Sequence, residues 1–494
     1  MLSAQNYLAL DLGAESGRTM VGSLASGILS LAETHRFVNQ PLKLPSGLHW
    51  DIASLWKEIK KGIAISSSQF QLESLAIDTW GVDFALLDET GTLLDIPFHY
   101  RDSRTDGMLQ IALQRLSREY IFAQTGIQFM QLNTLYQLLA MLLNQDPSLA
   151  AAETFLTIPD LLNHWLCGSL CCEFTNATTT QCFNPITRTW ASPLLEALGI
   201  PTHIFPPLCE PGTVLGSLPP VLVAETGAPP LPVIAPACHD TGSAVVAIPA
   251  QVQDFAWLSS GTWSIMGAEV LQPCLTPQAL AYNFTNEGGV FGTWRLSKNI
   301  MGLWIIQECR RAWESQGTHR TYAQLTQLAS AAKPFLAVID PDAQLFFHPG
   351  DMPSKVIAYC AESGQAIPKT EGEIVRLVLE SLALKYSTTL QQLEQLVGRR
   401  LDPIHIIGGG SQNDLLNQLT ADCTGRTVIA GPVEATAIGN VLLQSIALGH
   451  LGSLPEARAL VRRSFAVKTF HPTNPGGWDT ALKKLHSLSG FKPD

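Results

Sequence analysis

The chain has 494 residues, of which 46% are hydrophobic and 15% charged; this excludes a disordered chain, and about 150 residues per domain predicts two to four domains. The 31 Lys and Arg against 42 Asp and Glu give a formal net charge of −11. Nucleic acid is therefore not expected as a partner, because its binding domains carry a basic excess that neutralises phosphates.

The first residues of the chain and its cysteines indicate the cellular compartment in which the protein is expected. Asp11 interrupts the first apolar stretch and no basic segment precedes it, so neither a signal peptide nor a membrane anchor is expected. The 10 cysteines include no Cys-x-x-Cys pair, which argues against zinc-site and thioredoxin spacings. They are interpreted as buried thiols in a reducing, cytoplasmic compartment.

Similar strand–turn–strand segments open the two halves of the chain. In the first, apolar residues 7–10 lead into a polar, glycine-containing turn at 11–17. In the second, apolar residues 255–258 lead into the turn at 259–262. Alternating residues follow each turn, as expected for a hairpin. The recurrence about half a chain apart predicts two related halves.

Helical periodicity alternates with short apolar runs that end in Gly or Asp. The predicted helices cover 109–123, 132–144, 300–313, 374–396 and 415–423. Strands that alternate with helices predict an α/β fold. We therefore expect two α/β domains, 1–247 and 248–494, joined after the proline-rich run 210–232.

The two turns are candidates for phosphate binding. The sequence has no Gly-Lys dipeptide and so no P-loop. Glycines within 11–18 let backbone N–H groups converge on an anion, and Ser16 and Arg18 add a hydroxyl and a charge. The turn at 259–262 offers similar donors, and Asp11 could hold a hydrated Mg²⁺ that bridges phosphates. Ordinary hairpin turns remain the alternative.

Asp240 is the candidate for proton transfer. It precedes an apolar helical run, so capping that helix is the alternative role. A carboxylate beside a binding site can orient a substrate hydroxyl and accept its proton during phosphoryl transfer. Because the ordinary pKa of Asp is about 3.9, the group is ionised at neutral pH and acts late, as the hydroxyl becomes acidic.

Other segments fit a sugar or a nucleotide. Asp78–Asp83 brings carboxylates and Trp80 to a strand end; such groups suit sugar hydroxyls and C–H faces, with simple core as the alternative for Trp80. Asn299 and Gln307 lie on one predicted helix about 80° apart, so both could face one cleft. The glycines 408–410 would admit a base or ribose.

Together, in this order, the motifs resemble the FGGY carbohydrate kinases along nearly the whole chain. The matching stretches are DLGAESGR (11–18), IDTWGVDFALLD (77–88), YRDSRT (100–105), GIQFMQLNTLYQL (126–138), FTNATTTQ (174–181), HDTGSAVVA (239–247), LSSGTWSIMG (258–267), TNEGG (285–289), KNIMGLW (298–304), GGGSQNDLLNQLTAD (408–422) and GPVEATAIGN (431–440). DTWGVDF, NATTTQ and KNIMGLW resemble the branch that acts on the ketose L-rhamnulose.

The resemblance implies an actin/hexokinase/Hsp70-like (ribonuclease H-like) fold of two duplicated α/β domains around a central cleft. It implies transfer of the ATP γ-phosphate, with Mg²⁺, to the 1-hydroxyl of L-rhamnulose in rhamnose catabolism. Asp240 resembles the proton acceptor. The resemblance implies sugar contacts for Gly81, His239, Asp240, Thr241 and Asn299, ATP contacts for Ala14, Glu15, Ser16, Gly17, Arg18, Thr262, Gln307 and Gly409, and Mg²⁺ binding for Asp11.

Two departures and three alternatives accompany this resemblance. Glu15 stands where the family turn usually has a small hydroxyl residue, and its charge repels phosphates unless it points to solvent or Mg²⁺ offsets it. Gly242 stands where Ala is more usual. A kinase for L-fuculose, L-ribulose or D-xylulose, a non-enzymatic ATP-binding sensor and a hydrolase using His239 are the alternatives, the last without an identifiable nucleophile. Monomer and homodimer are both open.

Overall fold

The computed structural model describes residues 4–473 and 476–489. These residues form two compact units, each assembled from segments that are distant in the sequence. Unit 1 contains the chain up to Pro249, together with Glu269–Leu296 and Ala435–Phe465. Unit 2 contains Ala250–Ala268, Ser297–Glu434 and the chain from Ala466 onward.

Unit 1 is built on a six-stranded sheet. In spatial order its strands are Val214–Ser217, Pro232–Ile234, Leu72–Thr79, Gln5–Leu12, Ser16–Ala25 and Ile28–Val38. The first strand of the chain is buried over all but its first residue, as expected for a strand that is covered on both faces. It lies parallel to Leu72–Thr79, which lies parallel to Pro232–Ile234. The carboxyl ends of these three strands therefore meet at one edge of the sheet.

Helices and short strand pairs complete unit 1. The helices are Ile52–Gln69, Met108–Arg115, Arg118–Thr125, Thr134–Leu143, Pro147–Ala150, Ile158–Cys167, Phe174–Ala177, Ser192–Leu198, Pro220–Thr226, Asp240–Val246, Pro277–Ala281, Ala435–Ala447 and Leu454–Ser464, with 3-10 turns at Ser103–Thr105 and Thr178–Thr180. The pairs are Pro41–Leu44 with Gly47–Trp50, Phe84–Leu87 with Thr154–Thr157, Cys172–Glu173 with Leu208–Cys209, and Phe183–Asn184 with Thr189–Trp190, and Thr285–Gly288 is a further strand.

The helix Ala435–Ala447 is tied to the rest of unit 1 by close contact and by buried polar bonds. A Cβ at Gly439 would lie 1.7 Å from the carbonyl oxygen of Ser243, so only glycine allows this helix to approach Asp240–Val246 so closely. Gln444, four residues after Asn440 and on the same face, accepts a hydrogen bond from Ser74 at 2.7 Å. This helix therefore helps to hold strand Leu72–Thr79 in place.

Unit 2 repeats the connectivity of unit 1. Its sheet contains, in spatial order, Trp263–Val270, Ala256–Ser260, Ile404–Ile407, Val428–Ala430 and Lys468–Phe470. As in unit 1, an antiparallel hairpin is followed by two parallel strands and an antiparallel edge strand. The predicted relation between the two halves is therefore confirmed in the strand pairing of each unit.

Helices of unit 2 flank this sheet. They are Trp304–Ser315, Tyr322–Ala331, Met352–Glu362, Glu371–Val397, Asp414–Thr424 and Trp478–Ser489, with 3-10 turns at Gln344–Phe346 and Gly409–Gln412. The 27-residue helix Glu371–Val397 begins with a capping box between Thr370 and Glu373 and ends at Gly398, whose φ is 69°. Such caps satisfy the backbone groups that a helix leaves unpaired at its ends.

Two of the predicted helices are wrong in their extent. The predicted helix 109–123 is replaced by two helices, Met108–Arg115 and Arg118–Thr125. The second starts separately because Ser117 caps it by accepting a hydrogen bond from Tyr120 N. The prediction 300–313 starts too early, because Trp294–Met301 is a strand and the helix begins at Trp304. Gly302 separates the two elements, and a Cβ there would lie 2.6 Å from the backbone of Trp263.

Asn299 and Gln307 consequently do not share a helix. Asn299 lies on the strand and Gln307 on the helix that follows, so the predicted 80° relation between them is wrong. Elsewhere, none of the helices in the described part of the chain combines the length and the apolar character needed to span a bilayer.

Candidate active site

Three acidic residues of unit 1 follow or end its three parallel strands. Asp11 and Asp78 are register partners on adjacent strands, so their side chains point to the same face. Thr79 pairs with His239 in a parallel bridge, and its N–H donates to Cys238 O at 2.9 Å. This pairing holds Asp240 beside the other two acids. In α/β sheets, ligands bind at such carboxyl ends of strands.

Asp11 is paired with an arginine of the same hairpin. Arg18, its partner in the antiparallel register, donates to Asp11 Oδ2 from Nε at 2.9 Å and from Nη2 at 2.7 Å. The Arg18 charge therefore offsets that of Asp11. Asn39 holds the intervening turn by donating from Nδ2 to Gly13 O at 3.0 Å. Glu15 is exposed in this turn, which fits the alternative that its side chain points to solvent.

Asp78 is fully buried, and only one of its two carboxylate oxygens has a hydrogen-bond partner among the described residues. Its Oδ2 accepts a hydrogen bond from Asn440 Nδ2 at 2.6 Å, whereas its Oδ1 has no partner among the residues that the structure describes. Burial, and then the charges of Asp11 and Asp240, raise the pKa of Asp78 well above its ordinary value. Asn440 ends the matching stretch 431–440, but no pattern in the sequence pairs it with Asp78, which lies 362 residues away along the chain.

Asp240 is the first residue of helix Asp240–Val246 and does not cap it, because His239 occupies the cap position. Its Oδ1 accepts from Thr241 N at 2.5 Å and from Thr241 Oγ1 at 3.1 Å, and it lies 3.4 Å from His239 Nε2. The side chain is recessed but 31% exposed. Crowding by protein atoms and the Asp11 charge raise the pKa of Asp240, and His239 opposes this rise.

A buried ion pair fixes His239 from behind. Arg295 Nη2 contacts His239 Nδ1 at 3.0 Å and Glu287 Oε2 at 3.1 Å. Glu287 Oε2 also lies 3.2 Å from His239 Nδ1. Arg295 can only donate to this nitrogen and the Glu287 carboxylate can only accept from it, so the pair fixes the position of the ring and leaves Nε2 facing Asp240. Burial alone would raise the pKa of Glu287, but Arg295 and then His239 lower it below its ordinary value. The motif TNEGG contains Glu287, but sequence reasoning missed the role of both Glu287 and Arg295.

The backbone before Asp240 is held by the segment 173–176. Glu173 Oε2 accepts from Cys238 N at 3.0 Å, and Thr175 Oγ1 accepts from His239 N at 3.2 Å. Glu173 also caps the short helix Phe174–Ala177 through the N–H groups of its second and third residues. The motif FTNATTTQ therefore supports the loop that presents Asp240.

Gly81 stands next to a strained residue. Val82 has a φ of +70°, which is unusual for a β-branched residue and is typical of functional sites. Thr179 Oγ1 accepts from Val82 N at 3.0 Å, and Thr134 Oγ1 donates to Val82 O at 2.5 Å. A Cβ at Gly81 would lie 2.9 Å from Thr179 Oγ1. Gly81 is among the predicted site residues and Val82 is not, because no residue type signals this conformation.

The Trp80 side chain belongs to the core. Trp80 and Trp50 both donate indole N–H groups to Asp83 Oδ2, at 3.0 and 2.6 Å, and their rings lie 4.0 Å apart. Gln137 donates to Asp83 Oδ1 at 2.9 Å. Asp83 is fully buried, and its hydrogen bonds to these side chains make it part of the core. The sequence pattern instead suggested this carboxylate as a group that suits sugar hydroxyls.

Asp83 makes the stability of the fold depend on pH. Burial raises the pKa of Asp83 from 3.8 to about 6, against the lowering effect of its hydrogen bonds from Gln137, Trp50 and Trp80. The folded state therefore binds more protons than the unfolded chain between these values, so this contribution is present below about pH 4 and is lost as the pH rises through about 6.

In Asp83→Asn this titration is absent. The free energy of unfolding of the parent, minus that of the variant, should fall by about 1 kcal/mol per pH unit between about pH 4 and 6. Urea unfolding of both proteins across this range measures the difference. A difference that stays constant with pH would contradict the assignment.

In unit 2, the predicted ATP contacts lie around the second hairpin. Trp304 N donates to Thr262 O at 3.2 Å, which joins the turn to the helix that carries Gln307. Gln307 Oε1 is buried without a hydrogen-bond partner in the described segments. A Cβ at Gly410 would lie 2.0 Å from Ser260 Oγ, whereas one at Gly409 would meet nothing within 4 Å. Gly409 therefore faces open space.

Comparison with known proteins identifies the family. The N-terminal domain of the FGGY family of carbohydrate kinases matches residues 6–247, and its C-terminal domain matches 256–448. A protein named rhamnulokinase from Bacteroides thetaiotaomicron is 44% identical over 97% of this chain and 98% of its own length. Another, from Oceanobacillus iheyensis, is 44% identical over 94% of this chain and 98% of its own length.

Solved structures share the fold. A ligand-bound xylulose kinase from Lactobacillus acidophilus has a TM-score of 0.82 at 17% identity, covering 98% of this chain and 97% of its own. A glycerol kinase with ADP from Plasmodium falciparum has a TM-score of 0.77 at 16% identity, covering 99% and 97%. The predicted two-domain actin/hexokinase-like fold is confirmed. With both domains matched and full-length relatives this similar, the chain belongs to the FGGY family of carbohydrate kinases.

Proposed function

We propose that this protein transfers the γ-phosphate of MgATP to the 1-hydroxyl of L-rhamnulose, giving L-rhamnulose 1-phosphate and ADP. The observation that carries the proposal is the recessed Asp240 carboxylate, held beside Asp11 at the ends of parallel strands. The sugar is chosen from the relatives named rhamnulokinase, which are 40–44% identical over 94–99% of the chain. The predicted cytoplasmic location and monomeric or dimeric state remain predictions.

Asp240 is proposed to orient the attacking hydroxyl and to accept its proton as the bond to phosphorus forms. Two donations from Thr241 and the nearby His239 Nε2 restrict the carboxylate to one orientation. Holding the hydroxyl in line with the phosphate contributes more than basicity, since well-oriented groups reach effective molarities of about 10⁵–10⁸ M. The raised pKa of Asp240 brings it nearer to that of a useful proton acceptor.

The nucleotide is proposed to contact backbone and polar groups of each hairpin. In unit 1 these are the residues 14–18, and in unit 2 they are Thr262, Gln307 and Gly409. The partnerless Gln307 Oε1 and the open side of Gly409 support the assignment, because buried polar atoms normally find a partner. Glu15 is exposed, so its departure from the family pattern need not place a charge against the phosphates.

Asp11 is proposed to hold Mg²⁺. Oxygen donors suit this ion, which usually keeps several waters and bridges to substrate phosphates. No group of three or more His, Cys, Asp or Glu side chains within 4–473 and 476–489 could hold a metal by itself, which fits an ion bound through few protein ligands. When bound, Mg²⁺ would offset the charge of the transferred phosphate and of the neighbouring acids.

The sugar is proposed to contact Gly81, His239, Asp240, Thr241 and Asn299. The first four lie in unit 1, near the carboxyl ends of its parallel strands. The backbone at Gly81 and Val82 is fixed by Thr179, which supports a rigid contact there. Asn299 lies on a strand of unit 2, and its role rests on the resemblance of KNIMGLW.

A panel of ketoses tests the proposal. ADP release with MgATP is measured for L-rhamnulose, L-fuculose, L-ribulose and D-xylulose at equal concentrations. We expect kcat/KM for L-rhamnulose to exceed the others by at least about tenfold, because a sugar whose hydroxyls do not match the site leaves buried polar groups unpaired in the transition state, at a cost above about 1 kcal/mol. A higher kcat/KM for another ketose would show that this ketose, and not L-rhamnulose, is the substrate. Nucleotide binding without sugar-dependent ADP release would favour the sensor alternative.

A further inference from the structure

Two thiols of unit 1 that are not among the proposed active site residues lie in direct contact. Cys171 Sγ is 3.1 Å from Cys209 Sγ, although the residues are 38 positions apart in the sequence. The strands Cys172–Glu173 and Leu208–Cys209 are parallel, with Cys209 opposite Glu173, so Cys171 lies just before the strand that pairs with Cys209. Cys171 and Cys209 are both partly exposed, whereas Cys172 is buried.

The two thiols differ in acidity. The neutral Cys171 thiol donates to Cys209 Sγ. Once Cys171 is ionised, only the Cys209 thiol can donate, and this bond, with a further contact to Ser169 Oγ at 3.2 Å, outweighs burial and lowers the pKa of Cys171 to about 6. The same bond, with burial, raises the pKa of Cys209. The lowered pKa increases the fraction of Cys171 that is a thiolate at neutral pH, and the thiolate is the form that attacks disulfides.

We propose that Cys171 and Cys209 form a redox-active pair that exchanges with small disulfides such as oxidised glutathione. The Cys171 thiolate attacks one sulfur of oxidised glutathione, forming a mixed disulfide and releasing one glutathione thiolate. Cys209, no longer donating to a thiolate, loses its proton to solvent and attacks Cys171 Sγ. The Cys171–Cys209 disulfide forms as the second glutathione leaves, so two protein thiols are oxidised and one glutathione disulfide is reduced.

The position of the pair links it to the loop of Asp240. Cys171 and Cys172 lead directly into Glu173, whose carboxylate holds the Cys238 N–H at 3.0 Å. A disulfide has an S–S length of about 2.0 Å, so its formation requires only a small approach of the two sulfurs. The bond would join Leu208–Cys209 covalently to the strand that carries Glu173.

Peptide mapping of the intact protein tests the pair. The fully reduced protein is incubated with oxidised glutathione at neutral pH, the remaining thiols are alkylated, and the digest is analysed by mass spectrometry without reduction. We expect a cross-linked peptide containing Cys171 and Cys209, and its disappearance on treatment with dithiothreitol. Because the bond closes a long loop of the unfolded chain, the oxidised protein should also unfold at a higher urea concentration.

Single substitutions provide the controls. Cys209→Ser should stop the reaction at the mixed disulfide of Cys171, whereas Cys171→Ser should remove the rapid reaction altogether. Cys167→Ser is the matched control in the same region, because its thiol donates to Asn163 O at 3.3 Å, a bond that serine can keep. It should form the cross-link as the parent does.

Three results would overturn the proposal. They are a mixed disulfide on Cys171 that persists in the parent, a cross-link that involves Cys172 in place of Cys209, and oxidation of Cys171 no faster than of Cys274, a partly exposed thiol elsewhere in the same unit. None of these readouts depends on the proposed sugar kinase reaction.

Discussion

Asp240→Asn is expected to lower kcat for L-rhamnulose by about 10²–10⁴-fold, the usual contribution of a positioned general base. Asparagine keeps the size of the side chain and can still accept from Thr241, so the fold should persist. It cannot take the proton of the sugar hydroxyl. Steady-state ADP release gives kcat, and calorimetric titration with a non-hydrolysable ATP analogue gives the nucleotide Kd, which should change by less than about threefold because the carboxylate acts on the proton rather than on the nucleotide.

A second aspartate at a helix start separates catalysis from helix capping. Asp51 caps Ile52–Gln69 by accepting from Ser54 N at 3.0 Å, and asparagine caps helices about as well as aspartate. Asp51→Asn should therefore keep the parent kcat. If Asp240→Asn retains its fold and the parent kcat, Asp240 is not the proton acceptor.

The hairpins were predictable because their signal is local. Residues 7–10 and 256–258 lie in strands that lead into the expected turns, and the repeat is visible without knowledge of any distant contact. Which segments of the chain form unit 1 was not predictable in this way. Residues 435–465 return to it after the long unit 2 segment Ser297–Glu434, and only the folded chain shows that Asn440 bonds to Asp78.

The site was predictable where one strand end or turn carries the chemistry. Asp11 and Asp240 follow this rule, because each stands at the end of an apolar run or just after one. The structural element that carries Asn299 was not predictable in this way. A helical periodicity that starts at residue 300 cannot detect that a strand ends near Gly302, which closely approaches Trp263. The partners of His239 converge through tertiary packing, which leaves no periodic signal in the sequence.

Arg295→Met should destabilise the fold by about 3–5 kcal/mol, the usual cost of leaving one charge of a buried pair without its partner. Arg295 is 1% exposed and donates from Nε to Gly288 O at 2.8 Å. Its removal leaves the Glu287 carboxylate buried beside His239 without the charge that lowers its pKa. Urea unfolding at neutral pH measures the loss. Arg36→Met, which breaks the exposed pair with Glu33, should cost no more than about 1 kcal/mol.

The double variant Arg295→Met/Glu287→Gln separates stability from positioning. With both charges gone, no buried carboxylate lacks a partner, so a large part of the stability lost in Arg295→Met should return. The turnover number should not return with it, because His239 Nδ1 still lacks the guanidinium that holds the ring beside Asp240. If the loss of unfolding free energy in the double variant equals the sum of the losses in the two single variants, Glu287 and Arg295 act independently. A double variant with the parent kcat would show that the pair stabilises the fold without positioning His239.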